Sequence, residues 1–208
     1  MKATVKHLFV KYVHGESLVS VNKIAVSVVE GIIGSVPSLP YRQVLLLPAT
    51  TLQEFELQPG DLRENIIVDD LDIHSLISGT VIKIGEVETR LTFHCEPCSV
   101  IKDKVSTRKI IHKRGYLGVF LNDGIISLGD SIEIVKDKSY ESIPYSLGDR
   151  VKWYLEKQDS PVFVSKLVKE IGLSNAYCRA IPNIIRKRPD IDSNMIRYMK
   201  RKNKHHTA

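Results

Sequence analysis

Cys95-Glu96-Pro97-Cys98 is the segment with the clearest chemical capacity. The reactive form of cysteine is the thiolate, which needs solvent access and nearby positive charge. The pair follows an apolar run, residues 91–93, so it stands where a strand gives way to a loop and a sulfur is reachable. Pro97 stiffens this turn and removes one backbone donor. Arg42, Arg63, Arg108 and Lys113 are the cations that a fold could bring to it. By spacing alone, C-x-x-C serves as a redox dithiol, as half of a zinc site or as two packed thiols. Tetrahedral zinc needs two further ligands, and His74, His94 and His112 give no common zinc spacing, so no zinc is expected. A thioredoxin-type dithiol needs a helix opening at the first cysteine inside a βαβ unit, whereas these flanks read as strand and loop.

A second polar constellation is Pro59-Gly60-Asp61-Leu62-Arg63-Glu64-Asn65. Such a loop can present guanidinium, amide and backbone N–H groups to an anionic ligand. It also reads as an ordinary turn before an exposed strand.

These groups must be held by the elements around them. Residues 5–12, 19–29, 41–47, 79–84, 86–93, 118–121 and 130–135 read as short strands rich in Val, Ile, Leu and Phe. Asn122-Asp123-Gly124 and Leu128-Gly129-Asp130 are turn signals. Many short strands with regular turns predict a closed or nearly closed β-barrel over residues 1–138. Short helical turns are expected near residues 51–56 and 72–77. Residues 136–146, polar and carrying Pro144, read as a linker.

Beyond it the hydrophobic period becomes helical. Asp149 is the expected cap of a first helix. Residues 165–171 form a second, stopped at Gly172, and Ser174 caps a third. This is a helix-turn-helix pattern, and it assigns residues 147–203 to a small all-α domain. The fold class is therefore mainly β, a barrel followed by a helical module.

Composition sets the limits. The 208 residues are 43% hydrophobic, enough for one core and a satellite. No apolar run approaches membrane-spanning length, and residues 1–13 lack the pattern of a signal peptide, so no membrane association is expected. Three cysteines, an odd and small number, fit a reducing compartment and predict a cytoplasmic location. The formal charge of +6 is unevenly spread: residues 1–145 hold 16 Lys+Arg against 18 Asp+Glu, and residues 146–208 hold 14 against 6. The asymmetry suggests two units, the second meeting something acidic; the basic run 200–206 reads equally well as a solubilising tail.

Taken together, residues 42–47, 59–66, 71–85, Glu96-Pro97-Cys98, and the run from Gly115 through Gly118-Val119, Gly124-Ile125-Ile126 and Gly129-Asp130 resemble the MOSC (molybdenum-cofactor sulfurase C-terminal) domain in order and spacing. The resemblance covers roughly residues 1–135. It implies a β-barrel and a role in molybdenum-cofactor chemistry or sulfur transfer. By resemblance, Cys98 either ligates molybdenum or carries sulfur as a persulfide, and Arg42, Arg63 and Asn65 line the same cofactor cleft. Thiolate suits a soft metal, and Arg can hold the pterin phosphate through two bonds. Small members of the family reduce N-hydroxylated bases and related compounds. Larger members carry an extra N-terminal domain that helps hold the pterin, for which this chain has no room. It also has no pyridoxal-phosphate lyase domain, so sulfur would come from a separate persulfide donor such as a cysteine desulfurase.

Residues 151–188 resemble the DNA-binding part of alkylguanine-DNA alkyltransferases, through Val164 to Val168, Gly172-Leu173-Ser174, Cys178-Arg179-Ala180-Ile181, Asn183 and Arg186-Lys187-Arg188-Pro189. The resemblance implies DNA or RNA contact through Arg179, Asn183, Arg186 and Lys187, with Arg179 entering the base stack. The family's Pro-Cys-His-Arg motif is replaced by Asn194-Met195-Ile196-Arg197, so alkyl transfer is not expected. Cys178 reads as a packing residue, and Pro182 should break or kink the recognition helix. The alternative to an enzyme is a nucleic-acid-binding regulator whose barrel senses a ligand without turnover.

Overall fold

The computed structural model describes residues 2–173 and 175–198. It divides into two compact units, one ending at Tyr145 and the other beginning at Ser146.

The first unit is built from β1 (Thr4–Val10), β2 (Val19–Val21), β3 (Lys23–Ser27), β4 (Gly31–Ile32), β5 (Val44–Pro48), helix α1 (Ala49–Glu54), β6 (Ile66–Asp69), β7 (Thr80–Ile84), β8 (Val87–His94), β9 (Tyr116–Phe120), β10 (Gly124–Ser127) and β11 (Ile132–Ser139). Eight strands form one sheet in the order β11-β7-β8-β9-β5-β6-β1-β2. The start of β11 meets β1 again: Thr4 bridges Ser131, the N–H of Val5 donates to Asp130 O at 2.9 Å, and that of Ile132 donates to Ala3 O at 2.8 Å. The sheet is thereby a nearly closed barrel. A second sheet, β10-β3-β4, flanks it.

Strands β5 and β6 pair in parallel, linked by α1 and the loop that follows it. Strands so placed are covered on both faces and read as unbroken apolar runs. All five residues of β5 are buried. Alternation splits them: Leu46, Ile66 and Val68 enter the barrel core, whereas Leu47 and Ile67 face an outer cluster with Leu52, Leu62, Ile101 and Ile110. That outer cluster anchors both the loop before Asn65 and the turn after Cys98.

Several expectations change in detail. The run 19–29 is two strands, because β2 pairs with β1 while β3 pairs with β10. Strand β6, which the sequence offers only as an exposed strand after a turn, is four residues long, follows the polar loop directly and is buried at Ile66, Ile67 and Val68. The turn at residues 122–124 is held by side chains: Asn122 Oδ1 accepts from Glu88 N at 2.7 Å and Asp123 Oδ1 from Val28 N at 2.8 Å. It carries the chain from the large sheet to the small one. The helical turn near 72–77 is the 3₁₀ segment Ile73–Ser75, capped by Asp72. The expected linker 136–146 is not free chain. Its first part continues β11, Tyr140 N donates to Gly79 O at 2.9 Å, and Ile143 is 2% exposed with its N–H on Ser78 Oγ.

The second unit contains α2 (Leu147–Leu155), β12 (Val162–Phe163), α3 (Val164–Glu170), α4 (Ile181–Arg186) and β13 (Ile196–Arg197). The cap of α2 is Ser146, not Asp149: Ser146 Oγ accepts the N–H of Asp149 at 3.2 Å, which puts Asp149 inside the first turn, bonded to Arg188 at 2.8 Å. Helix α3 is closed off by Gly172, two residues past its end, whose φ of 74° lets the N–H of Leu173 reach back to Val168 O at 2.7 Å. Ser174 and the basic run 200–206 lie outside the described residues. The unit is not purely helical, since β12 and β13 form a short parallel pair.

Candidate functional site

Strand β8 ends at His94, and the next residue is fixed by its backbone, Cys95 N donating to Gly115 O at 2.9 Å. The Cys95 side chain points inward and is 1% exposed. Its sulfur accepts from Arg114 Nη1 at 3.1 Å, and the same Nη1 donates to Glu96 O at 2.5 Å. Burial pushes the Cys95 thiol up, against the opposing pull of Arg114 and Arg42. Cys98, in contrast, is half-buried and extended, with φ of −137° and ψ of 174°. It opens the 3₁₀ turn Ser99–Ile101, where Ile101 N donates to Cys98 O at 3.3 Å and the fully buried Ile101 side chain pins the turn to the barrel. The two cysteines therefore differ in burial: Cys95 is enclosed and Cys98 is partly exposed.

The turn after Cys98 meets the polar loop. Phe9, Gly60, Asp61, Arg63, Val100 and Lys104 are among the residues lining a cavity of about 260 Å³. Lys104 pairs with Asp61 at 2.7 Å. Partial burial would raise the Asp61 carboxyl, but Lys104 and the N–H of Gln58 outweigh it and hold the group below its usual range. Arg63 adopts φ of 64° and donates from Nη1 to Glu16 O at 3.2 Å.

The backbone donors of this loop are not offered to a ligand as the sequence suggested. Glu64, fully buried, turns back and takes them itself: Oε1 accepts from Gly60 N at 2.6 Å and Oε2 from Leu62 N at 3.1 Å. Burial nevertheless raises its carboxyl above the ordinary range. Asn65 is likewise engaged with backbone. Its Oδ1 accepts from Leu45 N at 3.0 Å and its Nδ2 donates to Phe9 O at 3.4 Å, bracing β1 against β5.

The cations distribute unequally. Arg42 lies within electrostatic reach of Cys95. Lys113 pairs with Glu54 and lies over the Phe55 ring, and Arg108 is exposed; neither bears on Cys95. The cation bonded to the cysteine segment is Arg114, which sequence reasoning did not single out. Its only signal was a place just before the Gly115 turn into β9.

The three histidines gather in a group of their own. The His94 ring lies 4.3 Å from Tyr116, 5.4 Å from His112 and 5.7 Å from His74, centroid to centroid. Nδ1 of His74 and of His94 are both buried without a partner, while His74 Nε2 bonds Thr51 Oγ1 at 3.1 Å. Among the described residues no group of three or more His, Cys, Asp or Glu stands where it could hold a metal ion. Burial, then the neighbouring His74 and His112, pulls the His94 pKa from 6.5 down to about 4. The folded state keeps this ring neutral while the unfolded chain protonates it below about pH 6.5. Stability from this source is complete above that pH and is lost as pH falls towards 4. Because the ring is only half-buried, screening reduces the loss to about 1–2 kcal/mol. Urea midpoints at pH 7.5 and 4.5 check this, and His94→Phe should flatten the difference.

In the second unit, Arg179, Asn183, Arg186 and Lys187 are all exposed. They do not share one regular helix. A 3₁₀ turn runs Asn175–Arg179, and past Ala180 it gives way to α4, which begins with Pro182 in its first turn, where a missing N–H costs nothing. The break thus falls before Pro182. Arg186 is bonded to Asn183 one turn away. Cys178 packs against the core of this unit.

Residues 40–133 match the model of the MOSC domain family. No curated protein matches the chain. Among solved structures, the YuaD protein from Bacillus subtilis is 18% identical with a TM-score of 0.56, covering 68% of this chain and 98% of that one. A hypothetical protein of known structure is 17% identical, with a TM-score of 0.56 and coverage of 91% and 90%. YiiM from Escherichia coli is 17% identical, with a TM-score of 0.52 and coverage of 91% and 94%. At such identities the likeness establishes the fold. Among the described residues no helix is long and apolar enough to cross a membrane.

Proposed function

We propose that this chain is a MOSC-family protein that binds the molybdenum cofactor through Cys98 and works in molybdenum-dependent reduction of N-hydroxylated compounds. The observation that carries the reading is the contrast between a buried Cys95 and a partly exposed Cys98, the latter just before a turn whose Val100 lines a cavity with Asp61, Arg63 and Lys104.

The residues present fit the cofactor. A thiolate is a soft donor suited to molybdenum. Arg63 and Lys104, which line the cavity, are the cations that would hold a phosphate. Asn65 contributes by fixing the loop, since its amide is already bonded to Leu45 and Phe9. When bound, the cofactor supplies two-electron oxygen-atom transfer. The chain's own part is to hold one sulfur at a fixed place: Ile101 and the Cys98 O bond set the turn, and Arg114 ties down Glu96 O just before it.

The same sulfur serves sulfur transfer. The Cys98 thiolate would attack the outer sulfur of a donor protein's persulfide. The donor's S–S bond breaks, its cysteine leaves as a thiolate, and Cys98 carries the sulfur. Either form requires an accessible thiol and excludes Cys95 from the role.

The test is anaerobic reduction of an N-hydroxylated purine by cofactor-loaded protein, wild type against Cys98→Ser. The variant should fall to the rate of protein without cofactor. Equal rates would remove Cys98 from the mechanism.

A further inference from the structure

Arg114 is a buried charge without a carboxylate. It is 6% exposed, and Nη1 makes both of its hydrogen bonds, to Cys95 Sγ and Glu96 O. Its Nε is sealed from solvent and donates to nothing, and among the described residues Nη2 has no partner either. No Asp or Glu forms an ion pair with it among the described residues. A guanidinium removed from water is costly unless an anion compensates it. Cys95 is a poor counter-ion, because burial holds its sulfur in the protonated form.

The unused groups are the right ones for recognition. With Nη1 committed to the protein, the remaining edge of the guanidinium carries two parallel N–H groups, on Nε and Nη2. That edge matches two oxygens of one carboxylate or one phosphate. The bonds from Nη1 fix the plane in which the edge lies, so the donors are set before a ligand arrives. Arg42, which also acts on Cys95, adds a second positive charge to the neighbourhood.

We propose that the Nε–Nη2 edge of Arg114 is an oxyanion-binding site that takes the carboxylate or phosphate group of a small ligand beside the cysteine segment. The site rests on the charge and geometry of Arg114 and does not depend on the role given above to Cys98.

The experiment uses the full chain labelled with nitrogen-15 and follows the Nε–Hε resonance of Arg114. Inorganic phosphate and acetate are titrated separately, with chloride holding the ionic strength constant. A saturable shift is expected with one or both, and the anion with the lower midpoint identifies the source, phosphate or carboxylate. In parallel, that anion should raise the urea midpoint of the wild type. Arg114→Lys keeps a charge but loses the paired donors, and should need roughly tenfold more anion for the same rise. A resonance that only drifts as it does in chloride overturns the proposal, as does equal stabilisation of Arg114→Lys. If that variant does not fold, the wild-type titration decides alone.

Discussion

Iodoacetamide applied to the folded protein will alkylate Cys98 far faster than Cys95, by roughly a thousandfold. Only a thiolate that meets the reagent reacts. Cys98 meets it from a half-buried turn, whereas Cys95 is 1% exposed and bonded to Arg114. Cys95 must wait for local opening of the end of β8, and an opening that costs about 4 kcal/mol slows reaction by roughly a thousandfold. Peptide mass spectrometry after timed quenching reads the two sites separately, and Cys178 on its own peptide. In urea the two rates should converge, because burial is then gone. Comparable rates in the native protein would mean that the fold does not distinguish the two sulfurs.

Glu64→Ala should be the most destabilising single change in the loop that lines the cavity, by about 3–5 kcal/mol. The carboxylate is buried and satisfies two backbone donors, at Gly60 and Leu62. Alanine leaves the N–H of buried Leu62 without an acceptor and leaves that of half-buried Gly60 only the water the cavity admits. Glu64→Gln keeps one acceptor oxygen but brings an NH₂ that finds no acceptor there, so it should lose about 2 kcal/mol. Urea unfolding of the three proteins measures the series. A shift of the alanine variant no larger than that of an exposed control such as Glu86→Ala would show that the loop holds itself by other means. Cys98 reactivity should rise in Glu64→Ala, since Leu62 and Ile101 share one cluster and the turn after Cys98 is anchored there.

The barrel was legible because strand-forming residues alternate with turn residues across most of its length, and covered strands such as β5 read as plain apolar runs. The burial of strand β6 was not, since four residues after a charged loop carry too little pattern to show that both faces are covered. The place of the Cys95–Cys98 segment just past a strand was legible from the apolar run before it. Arg114 was not, because its meaning arises only when β9 lies beside β8, pairing Tyr116 with His94 and bringing residue 114 against Cys95. Glu64 illustrates a different limit. The sequence shows a loop with donors and a carboxylate, but not that the carboxylate returns to its own loop. In the second unit the turn at Gly172 was legible, while the split at Ala180 was displaced from Pro182, because proline is as acceptable in a helix's first turn as it is disruptive in its middle.

If Cys98 is the sulfur of a molybdenum site, the metal must depend on that one residue. The direct measurement is elemental analysis for molybdenum on protein purified from a host that makes the cofactor, wild type beside Cys98→Ser and Cys95→Ser. Molybdenum is expected in the wild type and in Cys95→Ser, and should be lost from Cys98→Ser. Molybdenum retained equally by Cys98→Ser would contradict that assignment.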